Sequence, residues 1–152
     1  MEEQLVETWE IHNRINLYLL DALGPDSLVA SLTPPGRTVA AQFAHIHNVR
    51  LMWLKSAAPA LLEGLDKLDG KATTAAELRA ALQASSSAIA ELLRQGLAAG
   101  KIKGFKPHPV AFAGYLIAHE SHHRGQIGWT LKHTGHPLSQ KVAYGLWEWG
   151  VR

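Results

Sequence analysis

Apolar residues recur at helical spacing along four long stretches, separated by glycine, proline and polar connections. The first runs from Glu3 to Leu23, with Leu5, Trp9, Ile15, Tyr18 and Leu19 in its stripe and Gly24-Pro25 as a stop. Asp26 to Leu32 is expected to form a short helical turn, and Thr33-Pro34-Pro35-Gly36 is a break. The second stretch, Thr38 to Lys55, carries Val39, Phe43, Ile46, Val49, Met52 and Trp53, and Thr38 suits its N-cap. Ser56 to Thr73 reads as a loop holding a short apolar helix, Pro59 to Leu68. Thr74-Ala75-Ala76-Glu77 is a capping box that opens the third stretch, which extends to about Gly96 with Leu78, Leu82, Ile89, Leu92 and Leu93 on one side. A connection rich in Lys, Gly and Pro spans Gly100 to Pro109, and Pro109 suits the first turn of the next helix. The fourth stretch, Val110 to Leu131, ends near Gly135-His136-Pro137, and a last short helix is expected over Ser139 to Trp149. No strand-like alternation and no internal repeat is evident. The pattern predicts an all-α fold, a four-helix bundle with short additional helices, in one domain over residues 1–152.

Composition narrows the class. With 47% hydrophobic and 18% charged residues the chain is globular in character, and a formal net charge of +2 argues no nucleic-acid partner. There is no cysteine, so a metal must be held by His, Asp or Glu, and any thiol must arrive with a substrate or cofactor. The opening Met1-Glu2-Glu3-Gln4 has no apolar secretory core and no run reaches the roughly 18 apolar residues of a membrane span, so the cytoplasm is expected.

Candidate chemistry centres on His119-Glu120-Ser121-His122-His123-Arg124-Gly125-Gln126, which holds three of the nine histidines. His119 and His123 stand one turn apart on a helix, on a face with Phe112, Leu116, Gln126, Ile127 and Thr130. Two imidazoles at that spacing form a bidentate site for a divalent metal. The alternative, that they are ordinary core or surface histidines, is weakened because unliganded imidazoles on an apolar face need partners. His122 points toward Trp129 and His133 and is read as a flanking residue. On the second stretch His45 and His47 lie about 200° apart, and His45, sharing a face with Ala41, Val49 and Met52, is the better inward ligand. His47, with Arg50 and Leu51, is placed nearer the edge, and Asn13 and Asn16, unusual in mid-helix, either face a site or, as the commoner case and the one expected, lie at the surface. Three neutral imidazoles from two facing helices leave an open coordination position, the pattern of a catalytic rather than a structural site. Imidazole also suits zinc, nickel, iron and copper alike.

His45 with Trp53-Leu54, His119 with His123-Arg124-Gly125-Gln126, and the closing Leu146-Trp147-Glu148-Trp149 together resemble the DinB/YfiT-like family across essentially the whole chain. The resemblance implies a DinB-like bundle with a divalent metal, zinc or nickel, held by His45, His119 and His123, and homodimers as a common state. Relatives in that family include bacillithiol-dependent transferases and mycothiol-dependent isomerases, which implies a small-molecule substrate and a metal-dependent transferase or hydrolase that activates water or a low-molecular-weight thiol. Gln126, one turn beyond His123, would either donate to the metal-bound ligand or join two helices, and Arg124 would serve packing or an anionic substrate group.

Two rival readings remain. His119-Glu120-x-x-His123 also satisfies the zincin protease pattern with Glu120 as general base. The metzincin extension fails, with Gln126 at the glycine and Trp129 at the third-histidine position. Glu120 points roughly 100° off the ligand face, and solvent exposure is expected for it. The other rival is a non-catalytic bundle that binds a metal or a small molecule.

Overall fold

The computed structural model describes residues 1–33, 36–71 and 74–152. Among them are six α-helices: α1 Glu2–Asp21, α2 Pro25–Leu28, α3 Val39–Ala57, α4 Ala75–Ala99, α5 Pro109–His133 and α6 Gln140–Gly145. Two 3-10 turns, Pro59–Leu62 and Trp149–Val151, complete the order. The long helices α1, α4, α3 and α5 pack side to side in that sequence, and α5 closes against α1. The fold is all-α, as the periodicity predicts. Pro34 and Pro35 of the expected break, and Ala72 and Thr73 before the capping box, lie outside the described residues. No helix among the described residues is long and apolar enough to cross a membrane.

The ends of the elements follow local chemistry. Thr38 Oγ1 accepts from Ala41 N at 3.1 Å, and Thr74 and Glu77 cap each other reciprocally at the start of α4. α4 runs past Gly96 to Ala99 and stops at Gly100, whose φ of 69° is left-handed. The expected helix over Pro59 to Leu68 shrinks to one 3-10 turn, because Glu63 turns extended and Gly64 takes φ 74°. The expected closing helix over Ser139 to Trp149 likewise divides into α6 and the last 3-10 turn.

The core is split. One apolar cluster gathers Leu17, Leu19, Leu20, Val39, Phe43, Ile46, Leu78, Leu82, Ile127 and Leu131. The other gathers Val6, Trp9, Leu54, Ile89, Leu93, Phe112 and Leu116. On every long helix the residues between the two sets are polar and buried: His12, Asn13 and Asn16 on α1, Arg50 on α3, Ser85 and Ser86 on α4, Glu120 on α5. The candidate site lies beside this layer.

Candidate metal centre

α3 and α5 bring His45, His119 and His123 together: one ligand-capable nitrogen from each lies within 4.8 Å of the others. Ring centroids are 4.5 Å apart for His45 and His123, 4.6 Å for His119 and His123, and 5.5 Å for His45 and His119. The Nε2 atoms of His119 and His123 are 3.2 Å apart. Two imidazoles bound at 2.0–2.1 Å with a tetrahedral angle would place their nitrogens about 3.3 Å apart, so the spacing fits a shared ion.

The tautomer of His123 is set by its neighbours. Its Nδ1 lies 2.8 Å from Gln42 Oε1 and 2.9 Å from Gln126 Oε1. Two carbonyl oxygens on one nitrogen put the N–H there and leave the Nε2 lone pair facing His119. Metal-binding histidines are oriented in the same way, by donating through the remote nitrogen. Gln126 thus acts on His123 as an acceptor. Gln42, from the first turn of α3, does the same, although its sequence context alone does not mark it as functional; its position one turn before His45 is the signal that would have found it.

Burial pushes the His123 imidazole down to about 4, with the positive forms of His119 and His45 adding to the effect. Burial also lowers His45 and His119, and the charge of Arg37 contributes to both. All three rings are therefore neutral at pH 7, as ligation requires. The ring of His119 stacks on Tyr115, with centroids 6.2 Å apart and planes at 20°. Its Nδ1 is buried without a partner among the described residues.

Several sequence expectations are corrected by the structure. Glu120 is 1% exposed rather than at the surface. Its Oε1 accepts from Arg50 Nε at 2.7 Å, and its Oε2 accepts from Arg50 Nη2 at 2.8 Å, Asn16 Nδ2 at 2.8 Å and His12 Nε2 at 2.9 Å. Asn13 and Asn16 are buried too, and Asn13 Oδ1 accepts from Arg50 Nη2 at 2.9 Å. Arg50, expected near the edge, is completely buried. Its Nη1 donates to Leu82 O and Ser85 Oγ, so all five guanidinium N–H groups are used. Its Cζ also lies 4.9 Å from the centroid of the Trp9 ring. The physical reason is register: Phe43, Ile46, Arg50 and Leu54 form one buried seam, as do Leu116, Glu120, His123 and Ile127.

His47, also placed near the edge, is buried and donates from Nε2 to the Asp66 carbonyl at 2.8 Å. His45 is not on the core face. Its neighbours Ala41, Val49 and Met52 line a cleft, and Met52 is 53% exposed. It reaches the pair from that side. His122 is exposed as a flanking residue and stands 5.3 Å from the His123 ring. Arg124 donates to Asn16 Oδ1 at 2.6 Å, His12 Nδ1 at 3.4 Å and Ser121 Oγ at 3.0 Å. These bonds tie α5 to α1 and commit Arg124 to the buried layer. They also fix His12 as neutral, donating from Nε2 to Glu120 and accepting at Nδ1. Burial lowers its pKa more than Glu120 raises it, so the His12–Glu120 contact is a hydrogen bond rather than an ion pair.

Both carboxylate oxygens of Glu120 are thus occupied by structural partners, which does not fit the zincin role. Two clefts open beside the histidines. One, of about 610 Å³, is bordered by Gln42 and Gln126, the two acceptors for His123, and by Arg37 and Trp129. The other, of about 360 Å³, contains His45 itself and also reaches Arg37. None of the curated proteins compared with the chain matches it significantly. The sequence profile of the DinB family matches residues 1–148 of the 152, and the chain belongs to that family.

Proposed function

We propose that the protein binds a divalent metal ion through His45, His119 and His123 and works as a metal-dependent transferase or hydrolase on a small molecule. The observation that carries this reading is the convergence of three neutral imidazoles from two helices, their ligand atoms within 4.8 Å, with His45 itself lining a cleft of about 360 Å³. Three protein nitrogens leave room for an exogenous ligand, as in catalytic sites. Zinc or nickel suits the all-imidazole donor set. A bound dication lowers the pKa of water to about 7 or holds a thiol as thiolate. The protein's own share is positional. Gln42 and Gln126 hold His123 in one tautomer, Tyr115 packs against His119, and burial keeps all three rings unprotonated. The absence of cysteine fits a nucleophile, water or a low-molecular-weight thiol, that comes from outside the chain.

The reading includes a cytoplasmic homodimer. The exposed Trp147, 81% accessible, and the groove that Trp147 and Trp149 form with Gly125 and Gly128 support self-association, which sedimentation of the purified protein would test.

Metal analysis of purified protein is the decisive experiment. About one equivalent per chain is expected in the wild type. His45→Ala, His119→Ala and His123→Ala should each lose most of it, and His47→Ala, which removes the bond to the Asp66 carbonyl and no ligand of the triad, should keep it. Equal metal content in all four variants would defeat the assignment. Transfer assays with several cellular thiols, run beside a hydrolysis screen, then separate the two reaction types.

A further inference from the structure

The chain contains seven arginines, and six have an internal partner. Arg50 and Arg124 belong to the buried layer. Arg79 pairs with Asp21 and Arg94 with Glu10. Arg14 and Arg152 are joined at the C-terminus, and Arg152 also lies over the ring of Tyr18. Arg37 differs. It is exposed, and no hydrogen bond or ion pair engages its guanidinium among the described residues. It stands immediately before the Thr38 cap of α3, and it is the residue shared by the linings of both clefts. Neither lining contains an aspartate or glutamate, and the smaller cleft adds Lys67. The larger cleft has an apolar side in Leu32 and Trp129. Its volume falls in the range of small-molecule sites.

A guanidinium with all its donors free, in a cleft without acids, selects an anion, and its planar fork matches a carboxylate in bidentate geometry. We propose that Arg37 recognises the substrate, and that the substrate is a small organic acid. Its carboxylate pairs with Arg37 and its apolar body lies against Leu32 and Trp129. Arg37 and His45 line the same smaller cleft, which places the recognised group near the triad. The proposal names a substrate class for the histidine site and rests on the metal-dependent reading for its catalytic meaning. Anion binding itself does not require the metal.

The test uses phenylacetate and its neutral isostere phenylacetamide as probes, titrated calorimetrically into the chelator-treated protein and into the zinc-supplemented protein. Wild type should prefer the acid over the amide by at least about tenfold. Arg37→Ala should erase that preference in both preparations, and Arg37→Lys, which keeps charge but loses the fork, should retain part of it. Trp129→Ala should weaken acid and amide alike. Helical content is measured in parallel, and Arg37→Ala, at an exposed position, should match the wild type. Equal binding of acid and amide, no binding of the acid at millimolar concentration, or unchanged acid binding in Arg37→Ala would each overturn the proposal. Failure to take up zinc would instead strike the triad assignment, and the chelator-treated titration would still decide the role of Arg37.

Discussion

At the scale of single residues, the most consequential side chain is Glu120, one position from a candidate ligand yet engaged elsewhere. Two of its four hydrogen bonds come from Arg50, whose fully buried charge it compensates, and the others come from His12 and Asn16. Removing one partner of a buried pair strands the other charge, at a cost of about 3–5 kcal/mol. Glu120→Gln should therefore lower unfolding stability by that amount in urea denaturation while the folded protein keeps its metal. A loss below about 1 kcal/mol, or loss of metal without loss of stability, would contradict the structural role. The buried imidazoles predict a pH effect of defined sign. Burial lowers the pKa of His47, with the Asp66 bond opposing, and of His12. Below the unfolded value of about 6.5, the unfolded chain binds protons that the native state refuses. The stability contributed by these groups is thus complete above about pH 6.5 and is lost as pH falls beneath it. Chelator-treated protein should unfold at lower urea at pH 5.5 than at pH 7.5, and His47→Gln should flatten the difference; a rise in stability on acidification would refute it. The sequence showed the histidines because i, i+4 spacing is itself the signal. It hid Glu120, Arg50, Asn13 and Asn16, because a charged or amide residue on a helical seam looks like surface until its partners on other helices are known. Arg50 sits four residues from Ile46 and four from Leu54, both fully buried, and that register was the available clue.

At the scale of elements, boundaries were readable wherever a cap or a breaker states its own chemistry. Thr38, the Thr74–Glu77 box and Pro109 all stand where local rules put them. The stretch after α3 was less readable, because Leu61, Leu62 and Leu65 satisfy an apolar pattern in either a helix or an irregular loop packed on the core. The two threonine caps give a paired prediction. Each loss should cost about 1 kcal/mol of stability. Thr38, however, opens the turn that carries Gln42, and Gln42 holds the tautomer of His123. Thr38→Ala should therefore weaken metal binding several-fold, by analogy with the 10–100-fold effect of deleting an outer hydrogen-bond partner. Thr74→Ala, at the far end of a helix that gives no ligand, should leave metal affinity unchanged. Competition titration against a chromogenic chelator measures both; equal effects of the two substitutions would sever the link between the α3 cap and the site.

At the scale of the whole molecule, the bundle has two apolar half-cores separated by a polar layer to which all four long helices contribute. The layer is closed on itself: Arg50 uses every donor, Glu120 accepts four bonds, and Arg124 ties it to Ser121. The histidine triad is open by comparison, since it joins α3 and α5 only and its His45 lines a cleft. The two polar systems therefore have different thermodynamic duties. The layer sets the register of four helices whether or not a metal is present, whereas the triad stabilises the fold only to the extent that it binds an ion absent from the unfolded chain. Free metal at a hundred times its dissociation constant would add about 2.7 kcal/mol, which for a chain of this size is roughly 5–10 °C in melting temperature. Thermal melts with chelator and with added zinc or nickel should show that shift in the wild type and lose it in His119→Ala. Glu120→Gln should melt lower in both conditions yet keep the same metal-dependent increment, because the hydrogen bonds of His119 and His123 go to each other, Gln42 and Gln126 and none reaches the layer. If instead the increment vanished with Glu120→Gln, the layer and the triad would be one coupled unit, and the division of labour argued from their hydrogen bonds would be wrong.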